Sequence, residues 1–545
     1  MATTADEPVL HETANQIEAR DEAKLAELGY KQELQRDWSV LHNFGVSFSI
    51  ISVVTGITTL FSYGLATGGP GVMASGWLIV SFMTLFVGLS MAEIVSAIPT
   101  SGGPYFWAAI LAPPQHAPFF SWLTGFLNLL GQVAVTTGIT FGCAGLISTL
   151  ATVKSPDYTP TAGRTLGIYA ALLVSHGLVN TFGVHILRYL NNTSIVLHSL
   201  GVGSLAIAVV AAAPTHQSAK AVFGTFYDGT GDPGWGVRAS PAYVAICGIL
   251  LSQYTITGFD ASAHMSEETR SAARSAPIGV MTSIGVSAIF GFFYLLCLLF
   301  SVQDWDRVRN SDYGQPVLQI FVDAFGVNGA VVAMTLVIIC VWHCGLFSLT
   351  SNSRMMFAFS RDGALPRYFN SVDKRFRSPI RTIWLAASLA FLLALPSLGN
   401  SVAFAAATSI ATIGLYLSYA LPVLISIIWH KHFVRGPFNL GRFSRPVGIV
   451  TCTWVTFISI VFCLPTVNPV NKDTLNYTPV AVGIVLVGTL GSWFLWARKW
   501  FTGPRRQIEL AAIGVDVNDP AAVVEAEEAG VLDGKGKVGE KEVSS

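Results

Sequence analysis

Hydrophobic residues in this chain occur in long runs that short polar segments separate. A membrane-spanning helix needs about 20 apolar residues, and twelve runs approach or exceed that length. They lie at 43–65, 72–98, 120–149, 165–183, 194–213, 241–263, 277–301, 329–352, 381–397, 401–428, 447–465 and 477–497. Because lipid gives the backbone no hydrogen-bond partner, each run should form a helix. The pattern predicts an all-α membrane protein with about 12 transmembrane helices.

Two segments lie outside this apolar region. Residues 1–38 and 504–545 are charged and poor in aromatic residues, a composition typical of disorder. The first forty residues also contain no apolar core of a cleavable signal peptide. We therefore predict an N-terminal tail at 1–38, a membrane domain at 39–503 and a C-terminal tail at 504–545, with both tails mostly disordered.

Basic residues indicate the orientation, because cytosolic loops are enriched in lysine and arginine. With the N-terminus inside, the second half of the chain has most of its basic residues on the cytosolic side, and only Arg307, Arg309 and Lys472 outside. The first half gives no support, since its loops place more basic residues outside than inside. The second half and the even helix count together predict that both tails are cytosolic.

The composition mainly excludes other classes of protein and site. The chain is 52% hydrophobic and 12% charged, whereas a soluble domain carries about 25% charged residues. The 32 lysines and arginines balance the 32 aspartates and glutamates, so no excess charge indicates nucleic acid. The seven cysteines all lie in apolar runs, which argues against a disulfide framework and a metal site. We predict no metal and no cofactor.

Two predicted spans carry polar, helix-weakening residues in mid-membrane. The first contains Val54-Thr55-Gly56-Ile57, and the sixth contains Ile256-Thr257-Gly258-Phe259. These sequences occupy matching places in two five-helix halves, at 43–213 and 241–428, and helices 11 and 12 follow at 447–497. Paired interrupted helices of this kind are typical of inverted-repeat transporters, in which the two breaks meet at the substrate site.

A broken helix frees amide donors on one side of the gap and carbonyl acceptors on the other. The donors, at a positive helix N-terminus, suit a carboxylate, and the carbonyls suit an ammonium group. The pattern therefore favours a small solute that carries an amine. The alternative is that each glycine only permits close packing, as small residues do in membrane helices.

Several polar motifs lie beside these spans. They are 25–34 (LAELGYKQEL), 92–105 (AEIVSAIPTSGGPY), 258–269 (GFDASAHMSEET), 350–354 (TSNSR), 360–366 (SRDGALP) and 475–480 (LNYTPV). In these residues the chain resembles the amino acid–polyamine–organocation superfamily over about residues 25–505. Within it, the chain is similar to the amino-acid/choline transporter group, which includes fungal GABA permeases and plant bidirectional amino-acid transporters.

The resemblance implies a LeuT-like fold, a five-plus-five inverted repeat with broken helices 1 and 6 and two extra C-terminal helices. It also implies an amino acid, GABA, a polyamine or a choline-like molecule as cargo. In the superfamily, a G-(S/A)-G motif in helix 1 binds the substrate carboxylate. Here Val54-Thr55-Gly56 keeps only the last glycine, and Thr55 would narrow the pocket and add a hydroxyl donor. The resemblance places Tyr254 at a gating aromatic position.

Asp260 is the most informative single residue, because a carboxylate in mid-bilayer is costly and rarely persists without a use. It could pair with the substrate amine, which we favour, or accept a coupling proton. It could also only brace the helix break. Polar Gln132 in the third span should face the cavity rather than lipid. The predicted substrate-binding residues are Val54, Thr55, Gly56, Ile57, Gln132, Tyr254, Thr257, Gly258, Phe259 and Asp260.

His198 in the fifth span is a second candidate for proton coupling. It lies where many proton-coupled relatives in the superfamily carry a lysine, and imidazole titrates near neutral pH. The alternative is a hydrogen-bonded packing residue.

Charged residues near the predicted cytosolic ends suggest an inner gate closed by salt bridges. Glu93 ends the second span, and Glu267 follows the sixth. Arg354 and Arg361 follow the eighth span, within reach of a reciprocal bridge. These four residues are the predicted inner-gate candidates.

No catalytic motif competes with transport, since GxSxG, HExxH and GxxxxGK[ST] are all missing. We predict a secondary active transporter for amino acids or GABA, not an enzyme, working by proton coupling or exchange. The alternatives are a choline, ethanolamine or polyamine carrier and a nutrient sensor. The expected partners are the amine-bearing solute, a coupling proton and the lipid bilayer. The expected location is the plasma membrane, with vacuolar and mitochondrial membranes as alternatives.

Overall fold

The computed structural model of the chain describes residues 14–30, 32–34, 36–155, 157–398, 403–430 and 433–504. Its helices are α1 Ala14–Glu27, α2 Val40–Ile51, α3 Val53–Ala66, α4 Gly69–Ala97, α5 Pro104–Leu111, α6 Ala117–Lys154, α7 Ala162–Phe182, α8 Val184–Val196, α9 Val202–Ala212, α10 Ala219–Gly224, α11 Trp235–Arg238, α12 Pro241–Gly248, α13 Leu250–Thr255, α14 Ala261–His264, α15 Ala272–Phe300, α16 Trp305–Arg309, α17 Pro316–Arg361, α18 Ile380–Ala394, α19 Ala403–Ile428, α20 Ser444–Val461 and α21 Thr478–Leu495. The predicted all-α class is confirmed.

Eleven helical stretches within the described residues are long and apolar enough to cross a membrane. The predicted sixth span is not among them because it is divided into α12, α13 and α14, each shorter than a bilayer is thick. The twelve predicted spans therefore correspond to eleven stretches and one interrupted segment. The largest boundary difference is in α17, which begins at Pro316 rather than near 329 and is kinked where Gly326 adopts a φ of 70°.

The first span lies at the centre of the bundle, and the last lies at its edge. In the most apolar part of Val40–Ala66, 89% of the residues are buried, against 17% in Thr478–Lys499. Outer helices expose large apolar side chains such as Ile289 and Val487. Such surfaces suit lipid, which solvates apolar side chains but cannot satisfy free backbone groups. The fold thus surrounds the first span with protein.

A short antiparallel ladder lies beyond the C-terminal end of α3. Its strands are β1, Thr67–Gly68, and β2, Tyr227–Asp228. The same loop region continues to Thr230, whose carbonyl accepts a 2.6 Å hydrogen bond from the Asn468 amide. These contacts join the loop after α9 to the loop after α20 and cover this end of the bundle.

The predicted disorder of the N-terminal tail is wrong for the described residues between 14 and 38. Helix α1 docks through Asp21, whose carboxylate accepts the Ser271 amide at 2.6 Å and lies 3.3 Å from Arg36. Trp38 exchanges backbone hydrogen bonds with Glu268 and Arg270, both after α14. A charged segment can thus be ordered when the membrane domain supplies its partners. Residues 1–13 and 505–545 lie outside the described residues.

We expect Asp21→Ala to loosen α1, because the change removes one ion pair and leaves the Ser271 amide without its acceptor. A lost hydrogen bond to a charged group costs about 1.5–3 kcal/mol. Amide exchange in residues 17–27 should then accelerate about 10- to 150-fold, as hydrogen-exchange mass spectrometry would detect. Glu22→Ala is the matched control, since its side chain is exposed. Equal exchange in both variants would contradict this docking contact.

Candidate functional site

The first span breaks at a single residue, Ser52. Its φ of 30° and ψ of 78° lie in the left-handed region, between the end of α2 and the start of α3. The Ser52 carbonyl accepts the amides of Thr55 at 2.8 Å and Gly56 at 3.3 Å. The break therefore precedes Thr55-Gly56, which lies in the first turn of α3. The donors that a new helix leaves without an intrahelical partner are those of Val53 and Val54.

The break in the sixth span is longer. Helix α13 ends at Thr255, and the chain becomes helical again only at Ala261. Gly258 within the gap has a φ of 98°, and a Cβ there would lie 2.4 Å from the Ile50 side chain. Both constraints favour glycine, because other residues rarely adopt positive φ. The predicted interruption at Thr257-Gly258 is therefore present in the structure.

Side chains from neighbouring helices satisfy the carbonyls that these breaks free. The Tyr416 hydroxyl donates to Ile256 at 2.9 Å, and the Ser47 hydroxyl donates to Phe259 at 3.1 Å. In the first span, the Cys344 thiol donates to the Ile50 carbonyl at 3.1 Å. A buried carbonyl without such a partner would destabilise the protein by about 1–3 kcal/mol on mutational data. Transfer to an apolar solvent gives a larger cost of several kcal/mol.

The two breaks face each other at van der Waals distance. A Cβ built on Gly56 would lie 2.1 Å from the Thr255 hydroxyl oxygen and 2.8 Å from the Thr255 Cα. Gly56 is therefore required for close packing of α3 against α13, which is the packing alternative raised by the sequence. The same contact also brings Gly56 to the site, so the two interpretations are compatible.

A small closed cavity lies between the breaks. It has room for about one water molecule. Of the predicted residues, Thr55, Gly56, Tyr254 and Thr257 line it. Its full lining is Ile50, Ile51, Thr55, Gly56, Val135, Ile139, Tyr254, Thr255 and Thr257. The buried Tyr254 hydroxyl has no hydrogen-bond partner among the described residues.

The other predicted substrate contacts do not line this closed cavity. Val54 and Ile57 are fully buried in the core. Phe259 packs between two tyrosines of α19, with ring centroids 5.3 Å from Tyr419 and 6.1 Å from Tyr416. The three rings pack against one another here, so a solute could reach them only after α14 and α19 separate.

Asp260 is fully buried and binds protein groups rather than facing the cavity. Its Oδ2 accepts the Gln132 amide at 2.7 Å and lies 3.3 Å from His264 Nε2. Two residues predicted to contact the solute, Asp260 and Gln132, are therefore partners of each other in this conformation. His264 belongs to the motif at 258–269 and was not among the predicted site residues. Its spacing of four from Asp260 on a helix could have indicated the contact.

His198 lies beside the first break. It is part of a π-helical turn, Leu197–Gly201, between α8 and α9, and such turns are frequent at functional sites. Its Nδ1 lies 2.9 Å from the Ser194 carbonyl, and its Nε2 lies 2.8 Å from the Ser52 hydroxyl. Because a carbonyl only accepts and a hydroxyl can donate, a neutral His198 satisfies both contacts. The histidine supports the left-handed turn at Ser52.

Two buried ion pairs close the end of the bundle where α14 and α17 end. The Glu267 carboxylate accepts hydrogen bonds from the two Nη nitrogens of Arg361, at 2.9 and 3.1 Å. It also accepts the Ser101 backbone amide at 3.1 Å. Glu268 accepts Arg354 Nε at 2.9 Å. Burial alone would raise the pKa of Glu267, but Arg361 and the Ser101 amide hold that pKa below its usual range.

Glu93 is not part of this network. Its carboxylate accepts the Leu440 amide at 3.0 Å and the Ser444 hydroxyl at 2.6 Å, in the segment that leads into α20. The structure therefore differs from the predicted inner-gate role and places Glu93 as an anchor for the start of α20. Its position at the end of the second span did not reveal that partner.

The N-terminal segment completes the closed end. The hydroxyls of Tyr30 and Tyr105 donate to Asp362 at 2.5 and 2.9 Å, and the Arg361 guanidinium lies 3.8 Å above the Tyr30 ring. Burial raises the pKa of Asp362 to about 6, although Arg361 and the two hydroxyls oppose that shift. Tyr30 links the N-terminal segment directly to the ion pairs.

Comparison with known proteins gives a consistent family. A family model described as amino acid permease matches residues 41–487. An amino-acid permease BAT1 homolog from Oryza sativa subsp. japonica is 46% identical over 499 residues, covering 88% of this chain and 95% of its own. Amino-acid permease BAT1 from Arabidopsis thaliana is 43% identical, covering 89% and 96%. Amino-acid permease 2 from Neurospora crassa is 29% identical, covering 90% of each chain.

We expect Gly56→Ala to lower the thermal unfolding midpoint in detergent, because the new Cβ must push α3 away from α13. Overpacking a tight contact costs about 1–3 kcal/mol. Gly145→Ala, in α6, is the matched control, because a Cβ there meets nothing within 4 Å. Gly56→Ala melting at the same temperature as Gly145→Ala would show that the contact tolerates a methyl group.

We expect Arg361→Gln to open the closed end, because it leaves Glu267 buried without its cation, at a cost of about 3–5 kcal/mol. Cys344 is fully buried beside the first break, so its labelling by a small thiol reagent reports opening. With the other six cysteines replaced by alanine, labelling should accelerate at least about tenfold. Arg270→Gln is the control. It removes an ion pair with the half-exposed Asp37 at 4.0 Å, and exposed pairs of this kind contribute about 0–1 kcal/mol of stability. Unchanged labelling in Arg361→Gln would exclude this gating role.

Proposed function

This chain belongs to the amino acid permease family, and we propose that it is a secondary transporter that moves amino acids across a membrane by alternating access. The observation that carries the proposal is the meeting of the two helix breaks, at Ser52 and at 256–260, around one closed cavity. The family makes the chain a multi-pass membrane protein, in agreement with its eleven long apolar stretches among the described residues.

The positions of the breaks support a LeuT-like inverted repeat. They fall in the first span of the proposed half at 43–213 and in the first span of the half at 241–428. In each case the helix is interrupted and resumes, with glycine or serine in the left-handed region. This correspondence is what two structurally related halves would produce.

The chemistry around the breaks suits an amino acid. The unpaired donors that begin α3, at Val53 and Val54, provide a site for a carboxylate at a positive helix end. The carbonyls of Ile50 and Ile256 are held by a thiol and a hydroxyl, weak or neutral donors that an ammonium group could replace. Tyr254 adds an unpartnered hydroxyl at the cavity wall.

Transport requires the cavity to enlarge, since it is far too small for an amino acid here. We propose that solute enters when the ion pairs Glu267–Arg361 and Glu268–Arg354 separate, or when the loops at the opposite end part. Both tails are placed in the cytosol on the basic-residue pattern, and the plasma membrane is the proposed location. GABA belongs to the proposed cargo class, because it carries the same two charged groups with a longer separation.

Radiolabelled uptake by the purified protein in proteoliposomes tests this function. The panel contains neutral, acidic and basic amino acids, GABA, choline and putrescine, each with and without a pH gradient. We expect saturable uptake of at least one amino acid that unlabelled amino acid suppresses. Gly56→Val serves as the transport-dead control, because its side chain would force α3 and α13 apart beside the cavity. Uptake of choline or putrescine alone, or of nothing in the panel, would overturn the proposal.

A further inference from the structure

Asp260 and His264 form a closely packed acidic and basic pair at the start of α14. Both side chains are fully buried, and His264 Nε2 lies 3.3 Å from Asp260 Oδ2. Among the described residues, His264 is the one basic group in contact with Asp260. An isolated carboxylate in a dry interior is too costly to persist. The protonation state of this pair can be derived from its other contacts.

The first of these contacts fixes a proton on His264 Nδ1. That nitrogen lies 2.8 Å from the backbone carbonyl of Ser101, in the loop between α4 and α5. A carbonyl oxygen can only accept a hydrogen bond, so Nδ1 must carry hydrogen. If His264 were neutral, its Nε2 would then be an unprotonated acceptor beside Asp260, with no hydrogen-bond partner among the described residues.

The second contact fixes Asp260 Oδ2 as an acceptor. The Gln132 side chain lies 2.7 Å from the same oxygen, and only its NH₂ end can approach a carboxylate oxygen favourably. Oδ2 therefore accepts from α6 on one side and faces Nε2 on the other. His264 Nε2 and Asp260 Oδ1 have no hydrogen-bond partner among the described residues, so a proton on Nε2 would supply, at 3.3 Å, the counter-charge that the buried carboxylate otherwise lacks.

We propose that Asp260 and His264 together form a proton-binding site, and that the closed structure holds one coupling proton there as an imidazolium–carboxylate pair. This inference rests on the proposed transport function. Loading adds one proton to Nε2, and release leaves a neutral imidazole, still protonated at Nδ1, against a carboxylate. Release thus removes the ion pair and leaves a buried negative charge beside a neutral ring.

His198, the histidine that the sequence suggested, has the opposite character. Its Nδ1 also meets a carbonyl, that of Ser194, but its Nε2 meets the Ser52 hydroxyl. A hydroxyl can donate, so no additional proton is needed there. The difference between the two histidines is therefore the partner of Nε2, a carboxylate in one case and a hydroxyl in the other.

The charged and titratable groups around the pair do not supply another counter-ion for Asp260. Glu267 and Glu268 each form an ion pair with an arginine of α17. Asp362 accepts hydrogen bonds from two tyrosine hydroxyls. The side facing α2 offers neutral Asn43 and Ser47, which bond to the backbone of this segment. The surrounding titratable groups are Glu267 and Glu268 after α14, Arg354, Arg361 and Asp362 of α17, Tyr416 and Tyr419 of α19, Tyr105 of α5 and Tyr30.

Ser101 connects the proton to the closed end of the bundle. Its carbonyl accepts from His264, and its amide donates to Glu267, the partner of Arg361. Gly103 in the same loop has a φ of 58°, and a Cβ there would lie 2.8 Å from the His264 ring. The imidazole is thus wedged between Asp260 and the loop that holds Glu267. Movement of His264 after proton release would disturb the Glu267–Arg361 pair.

Nitrogen-15 NMR of the purified protein labelled at histidine tests the proton directly, without any solute. The His264 signals are identified by their loss in His264→Gln. At neutral pH we expect the closed wild-type protein to show an imidazolium at His264. In Asp260→Asn we expect a neutral, Nδ1-protonated ring, because no negative charge remains beside Nε2. A neutral His264 in the wild-type protein would overturn the proposal.

Proteoliposome transport tests the coupling, with the amino acid that gives the fastest counterflow in the panel as the probe. At one proton per solute, a gradient of about 1 pH unit sustains about tenfold accumulation. In Asp260→Asn and in His264→Gln, accumulation should fall to about the equilibrated level while counterflow persists. His343→Gln is the matched control, a buried histidine of α17 whose Nδ1 also meets a carbonyl, and it should keep tenfold accumulation.

The outcomes separate the two proposals. Gradient-driven accumulation at the wild-type level in both Asp260→Asn and His264→Gln would overturn the coupling role alone. Loss of solute binding in Asp260→Asn, with the NMR signal of His264 unchanged, would also overturn it and return Asp260 to the amine role. If the wild-type protein transports no amino acid, the proposed function fails, and the NMR measurement still decides whether the pair holds a proton.

Discussion

The backbone carbonyls that the two helix breaks free inside the bilayer need partners within the protein. At Ser52 and at 256–260 the backbone leaves the helix in a region with no water and no lipid hydrogen bonds. The partners are side chains from other helices: Cys344 of α17, Tyr416 of α19 and Ser47 of α2. The two breaks together therefore dictate residues in three helices. This requirement explains why polar side chains concentrate in the middle of an apolar bundle.

The same requirement extends to the charged groups. Asp260, Glu267, Glu268 and Asp362 are all buried, and each meets a donor from a different segment of the chain. Because each of these carboxylates depends on a partner from another segment of the chain, separating those segments must break ion pairs or move protons. Buried pairs add little net stability, but they make the closed state specific. The proposed alternating access would then exchange one set of partners for another rather than deform the bundle gradually.

Particular residues show where prediction from the sequence succeeded. The spans followed from apolar length, and the sixth was correctly distinguished by Thr257-Gly258. The resemblance to the amino acid–polyamine–organocation superfamily is confirmed by the family match and by the relatives' identities. The pairing of Glu267 with Arg361 was among the expected bridges and is present. The first break lies three residues before Thr55 because Ser52, not glycine, adopts the left-handed conformation. Sequence propensity alone favours glycine there.

The sequence by itself determined the number and approximate limits of the spans, the family, and which two spans are interrupted. These properties depend on local composition, since burial in lipid requires long apolar runs and glycine weakens a helix wherever it occurs. Only the tertiary structure decided that Glu93 anchors α20, that the N-terminal segment reaches Asp362, and that His264 rather than His198 faces a carboxylate. A histidine's protonation depends on which atoms surround its two nitrogens. Those atoms come from residues up to 163 positions away in the chain, a distance across which local sequence patterns carry no information.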